Sequence, residues 1–471
     1  MQRTVVVAGG GVSGLAACYH LVKKGSGSKV ILLESSSRLG GWLQSTRTED
    51  GAVFEHGPRG IRPVGTVGKN TLILVSELGL DGDVLPVKGD HAASKNRYLY
   101  VKKALHKLPS GFWGVLKTVP PFSKPLAWYS LRDLIARQGS QPDESIHDFV
   151  TRRFGKELAD IAIDSLCRGV FAGDCRALSV RSCFPMLYEA EQKRRSVILG
   201  MALGGGNDSQ QDSELISKAK EERWSQWSLR QGMQMLPEAL EDFLTHRGVE
   251  IHKDTPLTGL DRTSDNSWKV KLPHGSITAD HLISALPAKV LGQIVPAEPL
   301  ARELRQIDAV TVAVVNLQYD GHILPVTGFG HLVPSFEDRI LLGIVYDSIA
   351  FPEQNRKGTP STRLTVMLGG AWFEKEIGDP NEVSKERLLL RATEAVKNHL
   401  GASGKPSHAI VNVHKECIPQ YTLGHWKRTE NIFGYVKQNC VPLSLIGASF
   451  EGVSVNDCIY NARIAVEKLL G

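Results

Sequence analysis

Three glycines near the start of the chain have a spacing that suits the binding of phosphate groups. Gly9, Gly11 and Gly14 follow a short apolar run, residues 5–8, and precede a stretch with apolar residues at helical spacing. In such a segment the first glycine allows a tight turn, the second lets the backbone approach a pyrophosphate, and the third lets a helix pack closely on a strand. The unpaired N–H groups at the start of the helix would then face the phosphates.

An acidic residue stands where a ribose would be held. Glu34 closes a second apolar run, residues 29–33, and follows Gly14 by 20 residues. A carboxylate at this position accepts hydrogen bonds from a ribose 2′-hydroxyl and disfavours a 2′-phosphate, so the segment predicts a dinucleotide other than NADP. FAD and NAD both stay open on these residues, and the alternative is a glycine-rich turn that binds no ligand.

The next loop separates these two cofactors. Arg38, Leu39, Gly40 and Gly41 resemble the second motif of the FAD-containing amine oxidase superfamily, which NAD dehydrogenases lack. Two adjacent glycines let a loop pass close to a bulky ligand, and Arg38 would lie near the diphosphate. The alternative for the two glycines is an ordinary turn.

A second glycine-rich turn carries an arginine. Residues 51–60 predict a short strand that ends in the turn Gly57-Pro58-Arg59-Gly60. Two interpretations of Arg59 stay open on the sequence alone. It lies beside a flavin ring, or it is an ordinary surface arginine on a turn.

Composition limits the classes of function. The chain has 471 residues, enough for two or three domains with sizeable cores, and a formal net charge of +6. This mild positive charge suits contact with an anionic surface or substrate, but no long run of Lys and Arg predicts nucleic-acid binding. The seven cysteines are dispersed without a CxxC pair, so neither a disulfide framework nor a metal site is predicted.

One segment has the composition of a membrane interface. Residues 105–130 combine aromatic residues with lysines and prolines and contain no acidic residue, and such rings and cations settle at the level of lipid headgroups. The alternative is an ordinary packed loop with short helices.

The sequence contains no run of 18 consecutive apolar residues, so no membrane-spanning helix is predicted. Because a core strand begins at residue 5, we expect no cleaved signal or transit peptide.

The elements that would position these residues belong to two kinds of structure. Strands at 5–8 and 29–33, with the helix between them, predict a Rossmann-like α/β domain. Residues 308–370 are rich in strands, which predicts an antiparallel sheet in a second domain. Helices are expected over 382–400 and 458–470, and the closing helix would bring its N-terminus back to the cofactor.

Four further segments are predicted in less detail. A helix is expected over 71–80, and another over 145–167 that breaks at Arg168. Residues 277–285 predict strand structure, and the polar stretch 204–210 predicts a boundary loop.

Several stretches together resemble one family, the protoporphyrinogen oxidases of the haem pathway, and look most similar to its animal mitochondrial branch. The resemblance covers the whole chain, and the order and coverage of the motifs carry it. The stretches are residues 38–42, 57–60, 96–97, 168–174, 328–332, 365–370, 419–421 and 447–457. One departure lies in the closing helix, where Tyr460 and Asn461 replace a Ser-Gly pair common in the family. It bears on how closely that helix packs in its first turn.

The resemblance implies three domains. An FAD-binding domain of the amine-oxidase type would take residues 1–90, 215–290 and 405–471. A helical membrane-binding domain would take residues 91–214, and an antiparallel-sheet substrate domain residues 291–404.

The resemblance also implies which residues contact a non-covalent FAD. They come from the two glycine-rich turns, the ribose-binding acid and the end of the chain. These residues are Gly9, Gly10, Gly11, Val12, Ser13, Gly14, Glu34, Ser35, Arg38, Trp42, Gly57, Pro58, Arg59, Gly60, Leu257, Ala448, Val453, Ser454 and Val455.

The implied reaction removes six electrons from protoporphyrinogen IX in three two-electron steps and reduces three O₂ to three H₂O₂, the penultimate step of haem biosynthesis. The flavin N5 would accept the hydride, so no catalytic residue is assigned. Arg97 would pair with a propionate, and apolar side chains would sandwich the macrocycle. The implied substrate pocket consists of Arg97, Gly169, Phe329, Leu332, Val345 and Met367.

The resemblance implies a setting as well. The protein would be a monotopic homodimer at the mitochondrial inner membrane, on the intermembrane-space side, with neighbouring haem-pathway enzymes as partners.

Two alternatives belong to other functional classes. One is another flavin oxidase that acts on amines or polyenes, which turnover against an amine panel would reveal. The other is a non-catalytic binding protein of the Rab-escort type, which shares the architecture. The intact glycines at 9, 11 and 14 count against it, and a purified protein without yellow absorbance would favour it.

Overall fold

A computed structural model describes residues 2–25, 27–203, 213–402 and 404–471. The boundary loop predicted at 204–210 lies outside these residues. The strands of the described chain are β1 (Thr4–Ala8), β2 (Lys29–Leu33), β3 (Ser45–Arg47), β4 (Val53–Glu55), β5 (Val84–Val87), β6 (Tyr98–Val101), β7 (Ala104–Lys107), β8 (Gln226–Leu229), β9 (Glu250–His252), β10 (Gly259–Arg262), β11 (Trp268–Leu272), β12 (Gly275–Ala279), β13 (His281–Ser284), β14 (Ala309–Asp320), β15 (Gly330–Leu332), β16 (Leu341–Val345), β17 (Ser361–Gly370), β18 (His408–Pro419) and β19 (Leu443–Leu445).

Twenty helices accompany these strands in the described chain. They are α1 (Val12–Lys23), α2 (Gly65–Glu77), α3 (Ala92–Lys95), α4 (Gly111–Leu116), α5 (Leu126–Ile135), α6 (Ile146–Arg153), α7 (Lys156–Leu158), α8 (Asp164–Phe171), α9 (Val180–Cys183), α10 (Pro185–Arg194), α11 (Val197–Leu203), α12 (Glu214–Glu221), α13 (Met235–His246), α14 (Ala288–Ile294), α15 (Glu298–Arg305), α16 (Asp347–Ala350), α17 (Phe373–Glu376), α18 (Lys385–Leu400), α19 (His425–Gln438) and α20 (Val455–Leu470). Short 3₁₀ or π segments lie at Asp81–Asp83, Ala159–Ile163 and Pro352–Gln354.

The first strand lies in the middle of a five-stranded parallel sheet. The order is β19-β13-β1-β2-β9, and β1 pairs in parallel with both neighbours. Val5 and Val7 pack into the core formed with α1, α13 and α20, while Val6 and Ala8 pack into the core on the other side of the sheet. Burial of both faces explains the unbroken apolar run. The predicted α/β domain is therefore confirmed.

A mixed sheet of seven strands forms the second layer of the fold. Its order is β18-β14-β17-β16-β15-β6-β7, and each pair is antiparallel except β15 with β6. The predicted strands between 308 and 370 are present in it. Three of the strands, β6, β7 and β18, come from outside the expected limits of 291–404. The sheet therefore extends beyond the substrate domain as the sequence divided it, into segments assigned to the membrane-binding and FAD-binding domains.

The residues of this sheet alternate between two faces. Val315, Leu364 and Val366 pack on one side against Leu388 and Val396 of α18. Their neighbours in sequence point to the opposite face. That second face carries Thr365 and Met367, which the predicted site requires.

A group of helices between residues 111 and 203 is held together by buried charge. Arg153 of α6 donates hydrogen bonds to Asp133 of α5 and Glu191 of α10, and all three side chains are buried. Asp133 also accepts a bond from the amide of Ile198 at the start of α11. No helix in the described part of the chain combines the length and the apolar character needed to cross a bilayer.

Three predicted boundaries were wrong. The helix expected over 145–167 is interrupted after Arg153, where Gly155 has a φ of 110°. Its last part, α8, continues past Arg168 to Phe171 and ends where Ala172 adopts a left-handed backbone conformation with φ of 48°. Residues 277–285 form two strands in different sheets, because β12 pairs with β11 and β13 pairs with β1. The helix expected over 71–80 begins earlier, at Gly65, and ends at Glu77.

Candidate functional site

The first glycine-rich turn has the geometry that its sequence predicts. Gly9 has a φ of +101°, which favours glycine, and its amide donates to the carbonyl of Leu33 on β2. A Cβ added at Gly14 would lie 1.9 Å from the carbonyl oxygen of Gly9, so α1 packs on the turn only because residue 14 has no side chain. A Cβ at Gly11 would meet only the Cα of Gly41, at 3.9 Å. The approach to Gly11 is therefore free of side chains, as a diphosphate requires.

The start of α1 leaves its amides available. Its N-cap residue, Gly11, provides no capping side chain, and the first turn contains no acidic residue. The positive end of the helix dipole therefore has no carboxylate of its own element near it. This arrangement fits an anionic group of an FAD molecule.

The loop that carries Arg38 is joined to the first glycine turn. The amide of Gly40 donates to the carbonyl of Gly10 at 2.8 Å, and a Cβ at Gly41 would lie 3.2 Å from the Cα of Gly11. The guanidinium of Arg38 donates to the carbonyl oxygens of Leu39, at 3.0 Å, and of Gly41. Arg38 thus shapes its own loop, and its contact with a diphosphate stays a prediction.

Glu34 lies at the edge of both loops. One carboxylate oxygen accepts a bond from the amide of Gly10 at 2.7 Å, and the other accepts from the amide and the hydroxyl of Ser36 at 2.8 Å and from the hydroxyl of Ser35 at 3.2 Å. These bonds fix the carboxylate at the end of β2. A carboxylate has about four acceptor positions, so the oxygen that faces Gly10 keeps capacity for a ribose hydroxyl.

The closing helix meets the opening one, but its start differs. A Cβ at Gly447 would lie 3.7 Å from the hydroxyl oxygen of Ser13, so the turn before α20 approaches the start of α1. The helix begins at Val455 and not at Cys458 as predicted, because Ser454 and Asp457 cap each other's backbone amides in a capping box. Its first turn therefore carries its own carboxylate, unlike that of α1.

The second glycine-rich turn brings a buried arginine to the site. A Cβ at Gly57 would lie 2.2 Å from the carbonyl oxygen of Trp42, so the two segments touch through backbone. Arg59 is only 7% exposed, which excludes a surface arginine. Its guanidinium donates to the buried carboxylate of Asp347 at 2.8 Å, and the hydroxyl of Thr365 donates to the other oxygen of that carboxylate at 2.7 Å.

A chain of buried polar groups connects this turn to the seven-stranded sheet. Asn316 donates to Thr365 at 2.9 Å and hydrogen-bonds to the ring of His56 at 3.0 Å. Burial lowers the pKa of His56 and of His414, whose ring nitrogen lies 2.6 Å from the carbonyl oxygen of His56. Burial raises the pKa of the adjacent Glu55 to about 7. These groups link the turn at Gly57–Gly60 to the seven-stranded sheet through hydrogen bonds.

Arg97 lies at the head of β6, next to an aromatic ring. Its guanidinium carbon is 5.9 Å from the centre of the Phe329 ring, and the amide of Phe329 donates to the carbonyl of Asn96. Arg97 is exposed, and no carboxylate of the described residues pairs with it. Partial desolvation by neighbouring atoms, followed by the positive charge of Arg62, lowers the pKa of Arg97. Such an unpaired guanidinium is suited to an anionic ligand.

The apolar residues of the predicted pocket share one face of the sheet. Leu332 lies opposite Gly343, and Gly343 lies opposite Met367. Val345 follows Gly343 by two residues and therefore points the same way. A Cβ at Gly169 of α8 would lie 2.8 Å from the side chain of Leu332. The strand pairing thus brings together residues that are far apart in sequence.

The remaining residues that were predicted to contact FAD lie in several separate parts of the fold. Val12 packs against the core beneath α1, Leu257 against the core on the other side of the sheet, and Val453 against the helical region. The carbonyl of Ala448 accepts a bond from the hydroxyl of Tyr421 at 2.5 Å. A Cβ at Gly60 would lie 3.0 Å from the side-chain oxygen of Gln226. Contact of these residues with FAD stays a prediction.

Sequence reasoning missed two residues of this region. Asp347 follows a buried strand and has no motif around it, so only its pairing with Arg59 reveals it. Arg62 stands five residues after Gly57 and could have been noticed as part of the same turn. The amide of Asn456 in α20 donates to its carbonyl at 2.8 Å, which ties it to the closing helix.

Comparison with known proteins agrees with this geometry. The profile of the family described as "Flavin containing amine oxidoreductase" matches residues 12–470. Two curated proteins named protoporphyrinogen oxidase are similar over the full length. The human protein is 57% identical and the bovine protein 56%, each covering 100% of this chain and 99% of the relative.

A solved structure is similar as well. The putative protoporphyrinogen oxidase from Exiguobacterium sp. 255-15 superposes with a TM-score of 0.79 and 22% identity, covering 100% of this chain and 99% of that one. At this identity the likeness supports the fold alone. The family match, the two full-length relatives and the fold lead to one conclusion: the chain belongs to the flavin-containing amine oxidoreductases, is an FAD-dependent oxidoreductase, and within that family is a member of the protoporphyrinogen oxidases.

Proposed function

We propose that this enzyme oxidises protoporphyrinogen IX to protoporphyrin IX, with three O₂ reduced to three H₂O₂, as the penultimate step of haem biosynthesis. The observation that carries the proposal is the 57% identity, over the whole of this chain, with the human protein of that name. The site agrees with it, since it combines a dinucleotide-binding turn with an apolar sheet face and an unpaired arginine.

The chain's own residues bind and orient the substrate. Arg97 holds one propionate through a charge-assisted pair, and Arg62 adds positive charge on the same side. Leu332 and Met367 offer a half-buried apolar surface to the flat macrocycle, with Met367 adapting to its irregular outline. The reacting C–H bond is thereby placed for transfer.

Bound FAD supplies the two-electron chemistry and delivers the electrons to O₂. The protein holds it through the turn at Gly9–Gly14 and the carboxylate of Glu34. Arg59 is kept at the site by Asp347, so its guanidinium has a fixed direction without a solvent-exposed partner. No side chain is assigned as an acid or base.

The helices between 111 and 203 form the membrane-docking surface of the proposal. Eleven of the eighteen large apolar residues exposed in the described chain lie there. They are Trp113, Leu116, Trp128, Leu131, Leu134, Ile135, Leu166, Val170, Met186, Leu199 and Met201. Such a concentration of exposed apolar side chains is typical of an interaction site, and we assign it to a membrane that supplies the lipophilic substrate.

The proposed location is the mitochondrial inner membrane on its intermembrane-space side. The protein acts there as a homodimer beside neighbouring haem-pathway enzymes. Protease protection of the native protein in intact and outer-membrane-ruptured mitochondria tests the location, and light scattering in detergent tests the dimer. Protection that persists after rupture of the outer membrane would place the enzyme on the other side.

Anaerobic titration tests the substrate. The purified protein is expected to be yellow, and protoporphyrinogen IX is expected to bleach it within seconds to minutes, whereas a panel of primary amines is not. Yellow colour that persists under excess protoporphyrinogen would refute the assignment, and bleaching by an amine would favour an amine oxidase. A colourless protein that FAD does not restore would favour a non-catalytic binding role.

A further inference from the structure

The positive charge of this chain is concentrated in one segment. Residues 98–137 contain seven Lys and Arg residues and one acidic residue, Asp133, and so carry the same net charge as the whole chain, +6. The rest of the sequence is balanced. A cationic segment of this kind attracts anionic surfaces, and the attraction is strongest within a Debye length of about 10 Å.

The single acid of the segment does not offset this charge at the surface. Asp133 is fully buried, where it accepts hydrogen bonds from Arg153 and from the hydroxyl of Ser196. Two acids of other elements approach the segment and accept bonds from it. Glu157 binds the Ser123 hydroxyl and Glu337 binds the amide of Lys102. The carboxylates of Glu157 and Glu337 are thus fixed next to Ser123 and Lys102.

Two lysines stand apart from these acids. Lys107 ends β7 and Lys117 directly follows α4, and both are exposed. Neither forms an ion pair with an acid in the part of the chain that the structure describes. Lys117 adjoins Leu116, which is 46% exposed, so cation and apolar side chain lie side by side.

Helix α5 also combines exposed apolar side chains with a nearby lysine, and it exposes apolar residues while it buries an acidic one. Its buried side carries Tyr129 and Asp133, whereas Trp128, Leu131 and Ile135 recur at helical spacing on the side that faces solvent. Ile135 is 85% exposed. The ammonium of Lys124 lies 4.7 Å from the centre of the Trp128 ring.

We infer that the surface formed by α4, α5 and the adjoining strand β7 selects membranes with anionic headgroups, through the pairing of its exposed apolar side chains with uncompensated lysines. The inference rests on the proposed membrane docking and adds to it the charge of the lipid. Apolar side chains enter the interface and the cations meet the headgroups above them. Each Lys or Arg near an anionic leaflet strengthens binding roughly fivefold.

Vesicle sedimentation with the FAD-loaded enzyme tests this inference. Vesicles of phosphatidylcholine alone are compared with vesicles in which roughly one third of the lipid is phosphatidylglycerol. We expect at least about tenfold tighter binding to the anionic vesicles, and we expect that gain to disappear at about 0.5 M salt.

A pair of matched variants assigns the effect to residues. The double variant Lys107→Glu/Lys117→Glu should lose most of the preference for anionic vesicles. The control Lys269→Glu/Lys385→Glu changes the net charge equally at exposed positions on β11 and α18 and should keep it. Both should oxidise protoporphyrinogen in detergent at the wild-type rate, which separates lipid binding from the reaction.

The possible results separate a preference for anionic lipid from membrane docking itself. Equal binding to both vesicles, or equal loss in both double variants, overturns the inference and leaves docking intact. Failure to bind either vesicle overturns both. A gain that survives at high salt would also overturn it, because a screened electrostatic contact cannot persist there.

Discussion

The proposed FAD-binding region around Gly9, Gly11 and Gly14 presents backbone atoms to its ligand. The proposed substrate-binding region around Leu332, Val345 and Met367 presents side chains. The first region lies within six consecutive residues, where Gly14 packs against the backbone of Gly9, Gly9 has a φ of +101°, and Gly11 leaves its approach free of side chains. The second region is assembled from three strands by pairing. The comparison indicates that the cofactor region is sensitive to added atoms, most of all at Gly14, while the substrate region tolerates changes that leave the fold and FAD in place.

The largest effect is expected at Gly14. A Cβ there would lie 1.9 Å from the carbonyl oxygen of Gly9, so Gly14→Ala must displace α1 from the turn. We expect FAD affinity to fall roughly 100-fold, since overpacking of this kind costs up to about 3 kcal/mol. The matched control is Gly434→Ala in α19, where a Cβ meets nothing within 4 Å. Equal FAD affinity in the two variants, measured by fluorescence titration, would break the comparison.

The next effect concerns Glu55, a buried acid at the end of β4 whose backbone carbonyl accepts a hydrogen bond from Asn316. Burial raises its pKa from the ordinary 4.5 to about 7, so the unfolded state ionises first as the pH rises. The free energy of unfolding should therefore fall between pH 4.5 and 7, by at most about 3 kcal/mol from this group. Glu55→Gln cannot ionise and should remove that part of the fall.

Denaturant unfolding of the holoprotein at several pH values checks this. The difference between variant and wild type should grow in favour of the variant up to about pH 7 and then stay constant. A difference that does not change with pH would show that Glu55 ionises normally in the folded protein.

Arg97 tests the substrate region. Arg97→Ala removes a charge-assisted pair and should raise KM by about 10- to 100-fold, while the yellow absorbance of bound FAD stays. Arg62→Ala should raise KM less, because Arg62 adds positive charge near Arg97 without pairing with the propionate itself. Arg302→Ala, at an exposed position on α15, is the control. Loss of FAD in Arg97→Ala would contradict the division into two regions, and an unchanged KM would remove Arg97 from the pocket.

The smallest effect is expected at the start of α20. Ser454→Ala removes the capping box that this helix carries and α1 lacks. The cost should be about 1 kcal/mol of stability, seen as a lower midpoint in thermal unfolding. FAD affinity should change by less than about threefold, since the fold supplies this cap without a ligand. A larger loss of FAD affinity would mean that Ser454 contacts the cofactor directly.

The sequence predicts the FAD-binding region better than the substrate-binding region, because the first is formed by consecutive residues and the second is assembled by strand pairing. The turn at Gly9–Gly14, the strand that ends at Leu33 and the acid at Glu34 were predicted because local spacing dictates them. The pairing of Arg59 with Asp347 could not be, since it joins residues 288 apart and depends on tertiary contact. The pocket residues were named through family resemblance, because nothing local connects Gly169 with Leu332.

Element boundaries failed for related reasons. The break expected at Arg168 was placed on a glycine-rich stretch, yet α8 continues through Gly169, which is a glycine because a Cβ there would lie 2.8 Å from the side chain of Leu332. The start of α20 was placed too late because the cap at Ser454 was overlooked. The strand expected over 277–285 changes sheets at Asp280, and apolar patterning alone does not reveal which partner each half will find.

The strand order of the seven-stranded sheet has a consequence for how the enzyme folds during synthesis. Strands β6 and β7 are synthesised some 200 residues before β14, and β18 follows about 40 residues after β17. The whole sheet spans residues 98–419, so a fragment ending near residue 370 would expose an edge of β14 that β18 normally covers. The sheet that carries the pocket is thus completed only after residue 419 has been synthesised, and products truncated before that point are expected to aggregate rather than to retain partial activity.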